Sequence, residues 1–260
     1  MDTLDPTDAT FRSAEVGSSS PEAMPPRAGG RPDDPNHGEL TASKGFAGLV
    51  AALAGGLAMV LLVMVGFSAF GTRDFDGNHA FEFAAAFASD LALVGAAYFL
   101  TAEAGGPVAW RLGFRRFRAS AFGWMFLAFV GYLVLVAIYT ALFNPPQDDL
   151  PDQLGADEST LLAVVTGVFV IGIAPVVEET FFRGFLFQAL RNSWGVWLAA
   201  PASAAIFSAI HLTPSKFAQL AILGVALAFV FHKTRSLWPC ILLHALNNTL
   251  AFIALVVDKS

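Results

Sequence analysis

The residues able to do chemistry stand out because they are polar groups set in apolar runs. Val176-Val177-Glu178-Glu179-Thr180-Phe181-Phe182-Arg183-Gly184 places two carboxylates and a guanidinium inside a long hydrophobic segment. Charged side chains are costly in hydrocarbon, so an ionisable residue there is a functional candidate. On a helix, Glu179 and Arg183 are four apart and share a face, which lets them pair. Glu178 lies about 100° further round and has no such local partner. One glutamate can therefore serve structure while the other is free for chemistry.

Two more polar clusters interrupt apolar helices. Phe207-Ser208-Ala209-Ile210-His211 ends one of them, and His244-Ala245-Leu246-Asn247-Asn248 lies within another. His244 and Asn248 are four apart and share a face. Glu178 precedes the turn near Asn192–Gly195 by roughly as many residues as His211 follows it, so an antiparallel hairpin sets both at similar height. His244, about seven residues into its helix, reaches a similar depth, ~10 Å from the same membrane face. A set of this kind is hydrolytic. A glutamate in a partly apolar pocket can act as general base on water, and an adjacent histidine can hold that water or shuttle its proton. Another histidine and an asparagine amide can donate to a developing oxyanion. Alternatively, Glu178, His211 and His244 hold a divalent metal such as zinc that activates the water. The sequence leaves both routes open, and the helix-borne His-Glu-x-x-His zinc pattern is absent. Each group also has a structural reading, as an interhelical hydrogen-bond partner or, for Glu179 with Arg183, as a buried ion pair.

The elements that position these groups are membrane helices. Only 14% of the 260 residues are charged and 55% are hydrophobic, against about 25% charged in soluble domains. Several apolar runs approach 20 residues, which predicts an all-α, polytopic membrane bundle. The expected spans are 46–70, 81–100, 119–143, 161–190, 194–211, 217–231 and 237–257, about seven, with a break at Pro214. The fourth is long enough to protrude from the bilayer, and Pro175 lies within it. Asp90, near the middle of the second span, either lines the functional cavity or makes a buried hydrogen bond to a neighbouring helix. Arg111, Arg115, Arg116 and Arg118, interleaved with Trp110, Phe114 and Phe117, read as an interfacial basic segment on the cytoplasmic side. Residues 1–43, rich in Pro, Gly, Ser and Asp, read as a disordered cytoplasmic tail without signal-peptide character. Residues 44–260 then form the membrane domain, with the catalytic core at about 161–251. The net charge of -6 and the lack of a Gly-rich phosphate loop point away from nucleic acid. The single cysteine, Cys240, reads as packing. No internal repeat is visible, which counts against an inverted-repeat transporter.

The three motifs together, Glu178-Glu179-x-x-x-Arg183, Phe207-x-x-x-His211 and His244-x-x-x-Asn248, resemble the signature of the CPBP family. This family includes the type II CAAX prenyl endopeptidases and the Abi bacteriocin-immunity proteins. The resemblance covers about Leu161 to Ala251. It implies an intramembrane endopeptidase in which Glu178 and His211 hold the nucleophilic water, His244 and Asn248 face the oxyanion, and Glu179 and Arg183 support the site. The family has been described both as metalloprotease and as glutamate protease, and that choice carries over. Its eukaryotic members cut prenylated proteins. The Ala/Gly-rich chain looks bacterial, which implies a cytoplasmic-membrane location and a membrane-associated peptide or protein substrate, or bacteriocin immunity. The alternatives are a non-enzymatic immunity or membrane scaffold and a proton-coupled transporter using Glu178 as its proton site.

Overall fold

The computed structural model describes Asn36, residues 39–145 and residues 160–258. Among them are ten α-helices and no strand. The first four are α1 (Ala42–Ala69), α2 (His79–Ala102), α3 (Val108–Leu112) and α4 (Ser120–Phe143). One continuous rod follows from Thr160 to Trp194, built of α5 (Thr160–Gly167), a π-helical segment π1 (Val168–Ile173), α6 (Ala174–Glu179), a second π-helical segment π2 (Thr180–Phe187) and α7 (Gln188–Trp194). Then come α8 (Val196–Ile210), a 3-10 turn at Pro214–Lys216, α9 (Phe217–Thr234) and α10 (Leu237–Asp258). The tail expected over 1–43 lies almost wholly outside the described residues, as do most residues of the acidic loop after α4.

Six helical stretches are long and apolar enough to cross a bilayer: α1, α2, α4, the Thr160–Trp194 rod, Pro214–Thr234 and Leu237–Ala254. The chain is a multi-pass integral membrane protein. The remaining expected span, 194–211, is present as α8, but its 15 residues rise only ~22 Å against a ~30 Å hydrocarbon core. It stops at His211, followed by Leu212 in the left-handed region at φ 53°.

The rod is the axis of the bundle. All eight residues of π2 are buried, because α1, α2, α3, α8, α9 and α10 all pack against it. Phe181, Phe182, Phe185, Leu186 and Phe187 form its apolar surround. The expected uniform α-helix over 161–190 is instead π-helical on both sides of Pro175–Glu179. Pro175 offers no amide hydrogen to the preceding turn, and widening to i→i+5 bonding is a known accommodation, frequent at functional sites. α1 approaches α2 and the rod through a buried face of small residues, Gly45, Gly48, Ala52 and Gly56, the type of surface that lets membrane helices come close.

One end of the rod is tied by a polar clasp. The Asn36 amide donates to the Arg111 carbonyl at 2.8 Å and to Gln188 Oε1 at 3.2 Å. Arg111 Nε donates back to Asn36 Oδ1 at 3.0 Å, and its Nη1 donates to the Ala104 and Gly105 carbonyls. The Asn192 amide donates to the carbonyls of Asn36 and Leu40. This corrects the reading of Arg111 as an interfacial cation: it is buried, and loop carbonyls take the place of headgroups. Arg115 lies over Trp110 with its guanidinium 4.2 Å from the ring, while Arg116 and Arg118 are exposed.

α3 meets π2 at Gly184, where an added Cβ would lie 2.8 Å from the Leu112 carbonyl oxygen. That neighbour is backbone and can yield only if α3 moves. Gly184→Ala is expected to lower the unfolding temperature in detergent, at a cost of about 1–3 kcal/mol. Gly131→Ala, whose Cβ meets nothing within 4 Å, is expected to leave it unchanged or slightly raised.

Candidate active site

Three elements bring the candidate residues together. Glu178 and Glu179 end α6, His211 caps α8, and His244 sits on α10. Glu178 Oε2 lies 3.8 Å from His244 Nε2 and 3.9 Å from His211 Nε2. These separations are too long for direct hydrogen bonds and suit a shared water. The side chains of Glu178 and His211 keep 17% and 29% of their surface, so the front of the site is partly open.

Behind it the site is closed. Glu179 is 0% exposed and Arg183 1%. Arg183 Nη1 donates to Glu179 Oε1 at 2.8 Å, so the pairing suggested by the four-residue spacing is present. The same oxygen receives His244 Nδ1 at 2.9 Å. Arg183 Nη2 donates to the Gly224 carbonyl at 3.3 Å, and the guanidinium lies 4.6 Å from the Phe207 ring centroid.

The protonation of both imidazoles follows from their partners. At the end of α8 the His211 amide turns to Ser208 and the Leu212 amide to Ala209. His211 Nδ1 approaches the Phe207 carbonyl at 2.7 Å. A carbonyl only accepts, so Nδ1 carries the hydrogen. His244 Nδ1 likewise donates to the Glu179 carboxylate. Both Nε2 atoms are then directed to Glu178, each a lone pair in the neutral ring and an N–H in the imidazolium.

Asn248 is held by another irregular stretch of backbone. In π1 the Ala174 amide bonds to the Phe169 carbonyl, five residues back. The next carbonyl, Val170, would need the amide of Pro175, which has no hydrogen. The Asn248 side chain supplies the missing donor, Nδ2 to Val170 O at 2.9 Å. Its Oδ1 faces Asn247 Nδ2 at 3.4 Å. Asn248 thus ties α10 to the helix break that precedes Glu178, while Glu178, His211 and His244 make up the convergent trio.

Asp90, on α2, is near enough to Glu178 for the two carboxylates to act on each other electrostatically. Its Oδ2 is buried without a hydrogen-bond partner. The expected hydrogen bond to a neighbouring helix is not what holds it; Asp90 belongs to the surroundings of the site. Phe207 was also underrated by sequence reasoning. Its ring lies 4.7 Å from that of His211 and 5.9 Å from that of His244, in addition to its contact with Arg183. Only its place four residues before a histidine hints at this.

Two imidazole nitrogens and a carboxylate are suitable zinc donors, with Nδ1 of each ring fixed by an outer partner. The Glu178 carboxylate stands 3.8 and 3.9 Å from the two Nε2 atoms, wider than the ~3.3 Å between donors of a tetrahedral zinc. Among the described residues no three His, Cys, Asp or Glu side chains are gathered closely enough to hold a metal ion.

The family model described as type II CAAX prenyl endopeptidase Rce1-like matches residues 160–250, the segment that carries all three motifs. Over this segment the chain is similar to that family. Over 93 residues it is 27% identical to a protein of Bacillus subtilis (strain 168) named "Putative membrane peptidase YdiL", a match covering 36% of each chain. A protein of Escherichia coli named "Uncharacterized 24.3 kDa protein" is 27% identical over 113 residues, 42% of this chain and 52% of that one. The matches thus cover between about a third and a half of the relatives' lengths. No solved structure matches. The matched segment begins with α5 and ends within α10, so α1–α4 lie outside it.

The closed rear of the site makes a stability prediction. Removing Arg183 leaves the Glu179 carboxylate buried with only the His244 ring beside it, and breaking such a pair costs about 3–5 kcal/mol. Arg183→Met is expected to lower the unfolding temperature strongly, and adding Glu179→Gln to recover part of the loss. A double-mutant cycle in detergent measures the recovery; strictly additive losses would contradict the ion-pair account.

Proposed function

We propose that the protein is an intramembrane endopeptidase in which Glu178 activates water against a peptide bond in or near the bilayer. The observation that carries this is the convergence of Glu178, His211 Nε2 and His244 Nε2 within 4 Å at a partly open site whose rear is dry. A water beside Glu178 Oε2 can reach both imidazoles. Glu178 takes its proton as the oxygen attacks the scissile carbonyl, so a C–O bond forms and the carbonyl becomes an oxyanion. His244, as imidazolium with Nδ1 held by Glu179, donates Nε2–H to that oxyanion. The second amide hydrogen of Asn248 Nδ2 is the other donor in this reading. Glu178 returns its proton to the leaving nitrogen as the C–N bond breaks. His211 orients the water, and its Phe207 carbonyl partner fixes the ring.

The Rce1-like match supports peptidase chemistry in a membrane setting. In this reading the substrate is a membrane-associated peptide or protein. The chain lies in a bacterial cytoplasmic membrane, with the start of α1 at its cytoplasmic side. By the positive-inside rule that is the side of Arg115, Arg116, Arg118 and Lys233.

Glu178→Gln keeps the shape and removes the base. Cleavage of a membrane peptide by the reconstituted protein is expected to fall by about 10²–10⁴-fold with the unfolding temperature unchanged. Retained cleavage would refute the role of Glu178, and loss of folding in place of activity would favour a scaffold. Chelator treatment tests the direct route separately. Activity is expected to survive it; a loss restored by added zinc would assign the water to a metal.

A further inference from the structure

α4 and α8 both pack on α9, and a groove of about 430 Å³ runs over α9 between them. That volume lies within the usual range of small-molecule sites, ~300–1,000 Å³. Ala221, Val225 and Phe229 form its floor, Gly131 and Leu135 one wall, and Pro201 and Ala204 the other. The small side chains of Gly131 and Ala204 give it depth. Its lining is apolar, belongs to helices α4, α8 and α9, and leaves it open on one side.

One end of the groove is cationic. Lys233 follows Phe229 by one helical turn, with its ammonium 5.4 Å from the Phe229 ring and 5.0 Å from that of Trp124. Among the described residues no carboxylate pairs with it. Arg116 and Arg118, just before α4, are exposed at the same end. From Lys233 to Ala221 the helix rises ~18 Å, close to the depth of one leaflet. The lined part, Ala221 to Phe229, covers ~12 Å of that rise, and spread over it the volume leaves a cross-section of about 36 Å². This admits a hydrocarbon chain and excludes a helix, which is ~10–12 Å across with its side chains.

We propose that this groove binds an anionic phospholipid, with an acyl chain along α9 between α4 and α8 and the phosphate at Lys233. The apolar lining gives the chain its place, and the unpaired ammonium at the mouth gives preference for negative headgroups.

The test is a lipid titration of the full-length protein in non-ionic detergent, read by native mass spectrometry. Phosphatidylglycerol and phosphatidylcholine with identical acyl chains are compared. The wild type is expected to bind phosphatidylglycerol about fivefold more tightly, and Lys233→Gln to abolish the difference. Gly131→Leu fills the groove from a position with nothing within 4 Å and is expected to weaken both lipids at least about tenfold, a loss of roughly 1.4 kcal/mol. Leu135→Trp, at an exposed position, is a second blocking variant with the same expected result. Equal affinities in the wild type, or undiminished binding in both blocking variants, would overturn the proposal. So would capture of a protein segment in place of lipid by a photo-crosslinker at Leu135.

Discussion

The structure depends on neutralising one buried carboxylate. Glu179 is shut off from solvent, and leaving its charge unpaired would cost several kcal/mol. A single oxygen of it receives Arg183 from π2 and His244 from α10. Arg183 in turn reaches the Gly224 carbonyl on α9 and the Phe207 ring on α8. The requirement to satisfy one carboxylate therefore sets four elements against one another. An apolar core of similar volume could be as stable, but it would not fix the tautomer of His244. Because Nδ1 is committed to Glu179, Nε2 must face Glu178.

Irregular backbone is the second constraint. A regular helix end leaves carbonyls without amide partners, and in hydrocarbon these must be met by protein. Two of the candidate residues meet such carbonyls. His211 serves Phe207 where α8 ends, and Asn248 serves Val170 where Pro175 interrupts π1. The defects that would be costly in a plain membrane helix are thus what orient the polar side chains. This explains why the trio forms at a helix end and beside a proline, and why helix α8 can stop short of a full crossing.

Much of this was legible in the sequence. The four-residue spacing of Glu179 and Arg183 gave their pairing, and hairpin symmetry about Asn192–Gly195 brought His211 to the height of Glu178. Helix type and most boundaries followed from hydropathy, which in a membrane protein must match the bilayer. The π segments were not legible, because a pattern with period near 3.6 carries no sign of an i→i+5 bond. The bond between Glu179 and His244 joins residues 65 apart, and spacing cannot show which of two adjacent glutamates a distant histidine meets. Arg111 looked interfacial because its charge sits among other arginines. Its burial depends on Asn36 and on loop carbonyls, which no periodic signal places. Asp90 was ambiguous for the same reason: its neighbour Glu178 lies on another helix.

Gly224 shows how the apolar and polar parts of the molecule are joined. An added Cβ there would lie 2.9 Å from the Ala204 Cα, so only glycine lets α8 and α9 approach this closely. The contact backs the lipid-facing groove on one side. On the other, the Gly224 carbonyl accepts from Arg183, whose second bond neutralises Glu179. The polar core is therefore braced against the same helix pair whose outer surface meets hydrocarbon. Packing of α8 on α9 bears directly on how firmly Arg183, and through Glu179 the His244 ring, is held. Glu178 is outside this chain of contacts. It alone of the two glutamates faces the open side, and its freedom from structural duty follows from Glu179 having absorbed that duty.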